Sequence, residues 1–281
     1  MSAEPEDLLA AMAAGSRARV ARARAVEPDA ALERRAAATA AAPPLALDAR
    51  GFDLIAELKL RSPAMGTLRG SADGLEQQVE RYARGGAAAV SVLTEPERFA
   101  GSLEHLARAS ATLMPLGVPA MRKDFIVDRY QLLEARAAGA GGALLIVRML
   151  GPAELDRLAD AAAELGLFVL LEAFDATDIE RAAAAAARWP GRASDCLLGV
   201  NSRDLRSLEV VPERLEALGA LLPARWPRVA ESGLADAADA ARLAARGFTL
   251  ALVGTALMRA ADPQALARAM LASGRAAAVR R

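Results

Sequence analysis

The chain has 281 residues, 54 % of them apolar and 25 % charged, enough to bury a large core and too apolar for a disordered chain. Lys plus Arg and Asp plus Glu both number 35, so the basic footprint of a nucleic-acid binder or a polybasic membrane-surface protein is absent. One cysteine and one histidine exclude an internal disulfide and all but exclude a His/Cys metal site, so no metal is expected.

The chain opens MSAEPEDLLAAM, with acids where a signal peptide carries positive charge, and no run reaches the roughly 18 apolar residues of a membrane span. A cytoplasmic protein is expected. Residues 1–50 are rich in Ala and Arg, good helix formers, with a broken apolar stripe at Leu8, Met12 and Val20. They predict two helices ahead of the main fold, the second ended by Pro43 and Pro44; a floppy Ala-rich tail is the alternative.

From residue 52 short apolar runs alternate with longer helical stretches. The predicted strands are LIAEL (54–58), AVSVL (89–93), PAMR (119–122) and ALLIV (143–147). They continue with FVLLE (168–172), LLGVN (197–201), RVAES (228–232) and TLALVG (249–254). Between them lie amphipathic stretches such as LEQQVERYARGG and DAADAARLAARG, several ending in Gly, a usual helix stop. His105, in SLEHLARA, is expected on an exposed helix face, and Cys196 as a small buried hydrophobe at a strand start.

Strands each followed by a helix imply a parallel sheet, and strands that read as unbroken apolar runs imply one covered on both faces. Eight such units in residues 51–281 close into a (β/α)8 barrel. A doubly wound open sheet is the alternative, weakened because no Gly-x-Gly-x-x-Gly follows any strand.

Polar and charged residues gather at the C-terminal ends of the predicted strands: Glu57 and Lys59, Lys123, Glu172, Asn201 and Arg203, Glu231 and Ser232. A buried charge without a partner is costly, so such a concentration points to a site on the rim where barrels carry their active centres. Glu57 and Lys59 are two apart and so point the same way. Lys123 and Glu172, from different walls, offer an acid and a base to different atoms of one substrate. After the last two strands come Glu231-Ser232-Gly233 and Gly254-Thr255. Close backbone approach and hydroxyl donors there suit a phosphate.

These stretches resemble the indole-3-glycerol phosphate synthase family. The resemblance is carried by IAELKLRSP (55–63), SVLTEPERFAGS (91–102), RKDFIVDRYQLLEARAAGA (122–140), LLEAFD (170–175), GVNSRDL (199–205), VAESG (229–233) and LVGTALMRAADP (252–263). It spans nearly the whole chain from residue 52, in order. It implies closure of 1-(2-carboxyphenylamino)-1-deoxyribulose 5-phosphate to indole-3-glycerol phosphate, with loss of carbon dioxide and water and no cofactor. By the resemblance Lys123 is the general acid that protonates the ketone. Lys59 contacts substrate anions and acts in the later dehydration, and Glu172 accepts or relays a proton. Glu57 and Asn201 partner substrate hydroxyls and orient the charged groups, with Arg203 and Glu231 flanking. Ser62, Ser232, Gly233, Gly254 and Thr255 match phosphate-facing positions, and Phe99, Phe125, Leu144 and Ile146 the wall around the anthranilate ring. The resemblance also implies a helical extension, residues 1–50, over the barrel of residues 51–281, and a monomer that binds a small molecule only.

Two departures stand out. Ala64-Met65-Gly66 replaces a Ser-Lys-Gly-like run in a first loop that covers the site, and Ala100 replaces a polar amide. The rival enzyme, a phosphoribosylanthranilate isomerase, uses a Cys and an Asp, and Cys196 begins a strand rather than ending the first. A divergent phosphosugar barrel or a non-catalytic barrel is the further alternative.

Overall fold

In a computed structural model, residues 5–62, 66–67, 73–192, 195–204, 207 and 209–278 are described. Strands β1 (Asp53–Leu58), β2 (Ala89–Leu93), β3 (Ala120–Lys123), β4 (Gly142–Ile146), β5 (Phe168–Ala173), β6 (Cys196–Asn201), β7 (Arg228–Glu231) and β8 (Leu250–Val253) follow one another around a closed barrel. Every neighbouring pair is parallel, and β8 pairs back onto β1 with Ile55 opposite Leu252. The open doubly wound alternative is therefore set aside.

Strand side chains alternate between two faces, and both faces here are buried. Inward residues form one apolar cluster, including Ile55, Ala89, Met121, Leu144, Phe168, Leu170, Leu197, Val229 and Leu250. Outward residues such as Leu54, Val90, Leu145, Val169, Leu198 and Ala251 pack with the surrounding helices. Cys196 belongs to that outer layer, fully buried, and desolvation alone pushes its thiol up to about 12. It is the inert hydrophobe expected. His105 differs from expectation: it is half-buried in the first turn of the helix Leu103–Leu113, and burial, then the charge of Arg108, lowers its pKa.

The third strand is shifted by one residue from the expected 119–122, running Ala120–Lys123. Pro119 has no N–H to give a ladder, and its carbonyl accepts from Val90 N at 3.0 Å. Lys123 thereby becomes the last residue of a strand rather than a loop residue, on the same face as inward Met121.

Ahead of the barrel lie α1 (Pro5–Val26) and α2 (Asp29–Ala38). The expectation that Pro43 and Pro44 end the second helix is wrong. It stops at Ala38, where Thr39 turns extended and its hydroxyl donates to Arg35 O at 2.9 Å. Arg136 then holds the carbonyls of Thr39 and Ala40 at 2.7 and 3.0 Å, taking the chain out of the helix before either proline. The floppy-tail alternative also falls. Val20, Leu32 and Ala36 bury against Tyr130 and Leu133, and Tyr130 Oη donates to Glu27 O at 2.8 Å. Beyond α2, Leu45 joins the inward cluster from below.

Charges at the bottom are structural. Asp53, buried at the start of β1, accepts from Asp48 N and from Arg275 Nη2, each at 2.8 Å, tying the last helix (Pro263–Ala278) to the barrel. Conserving geometry at that end serves stability, whereas the opposite rim is free to carry chemistry.

Candidate active site

The alternation that fills the barrel floor with Ile55, Met121, Leu170, Leu197 and Val229 turns residues two further along inward in the next layer. Those are Glu57, Lys123, Glu172, Gly199 and Glu231. One cavity at this rim is lined by Glu57, Lys59, Lys123, Glu172, Asn201, Arg203, Glu231, Ser232, Gly233, Gly254 and Thr255, and by Phe99, Phe125, Leu144 and Ile146. Every site residue expected from the sequence is thus brought to one place except Ser62. Its backbone pairs with Gly66 in a two-residue hairpin after β1, and its side chain, like Ala64 and Met65, lies outside the described residues.

The charged groups interlock. Lys59 Nζ is 2.8 Å from Glu57 Oε1. Burial opposes ionisation of Glu57, but Lys59 and then Lys123 outweigh it and hold its pKa below the usual carboxylate range. Lys123 Nζ stands 3.7 Å from Glu172 Oε1 and 3.7 Å from Glu231 Oε2. Burial works against its charge too, yet Glu172, Glu231 and Glu57 together raise its pKa. Glu231 is the group that gives way. Only 1 % exposed and, among the described residues, with no hydrogen-bond donor on either oxygen, it has its pKa driven well upward by burial and by the Glu172 carboxylate, against the pull of Lys123. Two carboxyls crowding one site oppose each other's ionisation, and here the pressure falls on Glu231.

Asn201 organises the next wall. Its amide donates to Glu172 Oε1 at 2.6 Å, and its carbonyl accepts from Ser232 Oγ and Arg203 N, both at 2.9 Å. Ser232 and Gly233 have positive φ, 68° and 85°. A non-glycine residue there costs on the order of 1–3 kcal/mol and persists only if its surroundings hold it. Asn201 and Ser202 do so, the Ser202 hydroxyl reaching both Glu231 O and Ser232 O at 3.2 Å. Gly254–Thr255 opens a short helix, Thr255–Arg259, beside them.

Two glycines leave room for the carboxylates. A Cβ on Gly199 would overlap Glu231 Oε1, and one on Gly254 would overlap Glu57 Oε1 and crowd Lys59 Nζ. The Gly199→Ala variant is expected to lose about 1–3 kcal/mol of stability, the usual cost of overpacking, together with most activity. Urea unfolding beside a steady-state assay checks this; wild-type behaviour in both would show that Glu231 does not need that space.

The apolar wall comes from several elements. Glu95 caps the short helix Pro96–Phe99 by accepting from the N–H groups of Glu97, Arg98 and Phe99, which sets Phe99 at 6.4 Å, ring to ring, from Phe125. Leu144 and Ile146 rise from β4. Sequence reasoning missed Phe174, Leu8, Leu9 and Met12, which line the same cavity. Phe174 lies two residues beyond Glu172, so alternation was a usable signal; Arg148, paired with Asp175 and Asp178, stacks over its ring at 4.8 Å. The residues of α1 carried a stripe but no sign of what it covers. Ala100, the altered position beside Phe99, sits at φ 53°, a left-handed backbone that an asparagine tolerates better than an alanine.

Among the described residues there is no group of three or more His, Cys, Asp or Glu that could hold a metal, and no helix long and apolar enough to cross a membrane. The family described as indole-3-glycerol phosphate synthase matches the chain over residues 9–270. A protein of that name from Nocardioides sp. is 44 % identical over 222 residues, 79 % of this chain and 81 % of its own. Another from Leifsonia xyli subsp. xyli is 42 % identical over 266 residues, 93 % of this chain and 96 % of its own. Among solved structures, thiamine phosphate pyrophosphorylase from Pyrococcus furiosus shares the fold with a TM-score of 0.59 at 15 % identity, covering 82 % of this chain and 99 % of its own. The tryptophan synthase alpha subunit of Legionella pneumophila does so with 0.55 at 18 %, covering 82 % and 94 %.

Proposed function

This chain belongs to the indole-3-glycerol phosphate synthase family, and on that premise we propose which side chains perform the ring closure. The enzyme converts 1-(2-carboxyphenylamino)-1-deoxyribulose 5-phosphate to indole-3-glycerol phosphate, a decarboxylating and dehydrating step of tryptophan biosynthesis. One observation carries the assignment of roles: Lys123 Nζ stands between the Glu172 and Glu231 carboxyls, 3.7 Å from each, in a cavity walled on one side by aromatic rings.

The substrate phosphate rests against Ser232, Gly233, Gly254 and Thr255, the two loops that bind phosphate in many such barrels. Ser62 adds a donor from the first loop. The anthranilate ring fills the slot of Phe99, Phe125, Leu144 and Ile146. Held at both ends, the flexible chain between them is folded so that the carboxylate-bearing ring carbon faces the ketone, which removes most of the entropy cost of closure. As the new carbon–carbon bond forms, negative charge grows on the ketone oxygen and Lys123 donates to it. Loss of carbon dioxide from the same ring carbon, in an apolar slot, returns the electron pair to the ring. The hydroxyl that Lys123 created then leaves as water, protonated by Lys59, while Glu172 takes a proton from the adjacent methylene carbon bonded to nitrogen, and the ring double bond forms between the two carbons. Glu57 holds Lys59, Asn201 aims Glu172, Arg203 flanks the hydroxyls, and Glu231 stands beside Lys123.

Residues 1–50 form a helical extension over the barrel of residues 51–281, supported by Leu8, Leu9 and Met12 on the cavity wall. The enzyme works as a monomer in the cytoplasm on a small molecule alone; all the groups used come from one chain. The assay is direct: adding the carboxyphenylamino-deoxyribulose phosphate to purified protein is expected to give rising indole fluorescence. Substrate left unchanged, or converted without an indole signal, would overturn the reading.

A further inference from the structure

Lys123 is flanked by two charged neighbours, Arg122 and Asp124, and both are almost fully buried. Alternation turns Arg122 away from the cavity, and Asp124, although it lines the cavity wall, has both carboxylate oxygens taken up by protein donors, so neither is explained by direct contact with a reacting atom. Instead they grip each other and the wall behind. Asp124 Oδ2 accepts from Thr94 Oγ1 at 2.8 Å and from Arg122 Nη2 at 3.0 Å. Arg122 also donates to Thr94 Oγ1, to Gln131 O and to Glu134. The other oxygen, Asp124 Oδ1, accepts from Phe125 N at 2.8 Å and from Arg19 Nη2 at 2.8 Å.

Arg19 is the one member that does not belong to the barrel. It lies on α1, more than a hundred positions away in sequence. It approaches Glu95, the cap of the Phe99 helix, at 3.8 Å, and donates to Ser16 Oγ at 2.8 Å. Ser16 is wholly buried on the same helix, and its hydroxyl donates to Phe125 O at 2.6 Å. α1 thus holds the side chain of Asp124 and the carbonyl of Phe125, the two residues that follow Lys123. A buried carboxylate that accepts from four donors has almost no freedom, and Lys123 is joined to it by a single peptide bond.

We propose that Arg19 of the N-terminal helix is a positioning residue for ring closure, aiming Lys123 through Asp124. The helix is then part of the catalytic machinery and more than a cover for it. This rests on Lys123 being the acid, as argued above. The cation on α1 fixes where the β3 strand ends, the strand end fixes where the ammonium stands between Glu172 and Glu231, and that point must coincide with the ketone oxygen. A displacement of about 1 Å there can cost on the order of 100-fold in rate without loosening the substrate.

The test compares Arg19→Met, which keeps the stem, with Arg19→Lys, each alone and combined with Lys123→Met, by steady-state kinetics and thermal unfolding. Arg19→Met is expected to lower kcat by about 10- to 100-fold with KM within about twofold, and Arg19→Lys to recover part of it. In the Lys123→Met background the same change is expected to cost nothing further, because the group it aims is gone. A folded Arg19→Met enzyme with wild-type kcat, an effect confined to KM, or an undiminished further loss in the Lys123→Met background would each overturn the proposal. Should Arg19→Met fail to fold, Arg19→Lys alone decides: an unchanged kcat overturns, and a lowered kcat at constant KM supports. Near-normal turnover by Lys123→Met itself would instead sink the acid assignment, a result separable from any obtained at Arg19.

Discussion

Lys123→Ala is expected to lower kcat by about 1000-fold or more, within the range that a positioned general acid supplies, while binding of inorganic phosphate stays close to wild type. The ammonium stands 3.7 Å from both Glu172 and Glu231, and its pKa is raised, despite burial, by Glu172, Glu231 and Glu57. The other lysine of the cavity, Lys59, is engaged with Glu57 at 2.8 Å and is not placed to take over. The loops proposed to hold the phosphate follow β7 and β8 and do not involve Lys123, so that end of the site should survive. The variant should also become less stable relative to wild type as pH rises. Without the ammonium the Glu231 carboxyl, already driven well above its usual range, holds its proton still more firmly. A group with a raised folded-state pKa contributes stability below its unfolded pKa and loses it as pH climbs through the folded one. Phosphate titration by calorimetry, kinetics and melting curves across pH check these statements together. Retained turnover would refute the acid role.

Glu172→Gln is expected to cut kcat by about 100-fold or more with little change in KM. The amide is nearly the same shape and can still accept from the Asn201 side chain, which donates to Glu172 Oε1 at 2.6 Å. Lost are the base and the largest of the attractions that hold the Lys123 charge. Burial continues to oppose that charge, so the Lys123 pKa falls and the alkaline limb of the kcat profile moves to lower pH. An effect on KM alone would make Glu172 a binding residue, and an unmoved alkaline limb would mean that it does not govern Lys123.

The placement of the rim residues was legible in the sequence because strand periodicity is local: once Ile55 faces inward, Glu57 must follow, and the same rule leads from Leu170 to Glu172 and from Val229 to Glu231. The rule also reached Phe174, had it been carried one step past the strand end. Lys123 needed more. Its place inside the barrel depends on where Pro119 lets the third strand begin, a boundary that apolar runs do not mark. Least legible was the N-terminal segment. Ala and Arg set helix propensity but no direction, and what fixes α1 is Ser16 and Arg19 meeting Phe125 and Asp124, partners over a hundred residues away. Pro43 and Pro44 misled for the opposite reason. The loud local stop signal lay beyond a quieter one, Thr39 and its contact with Arg136.

The most direct measurement is a crystal structure with indole-3-glycerol phosphate bound. The phosphate is expected within hydrogen-bond reach of Ser232, Gly233, Gly254 and Thr255, the indole between Phe99, Phe125, Leu144 and Ile146, and Lys123 Nζ beside the carbon that had carried the ketone oxygen. A phosphate seated elsewhere, or an indole with Lys123 and Glu172 both beyond contact of its new ring, would contradict it.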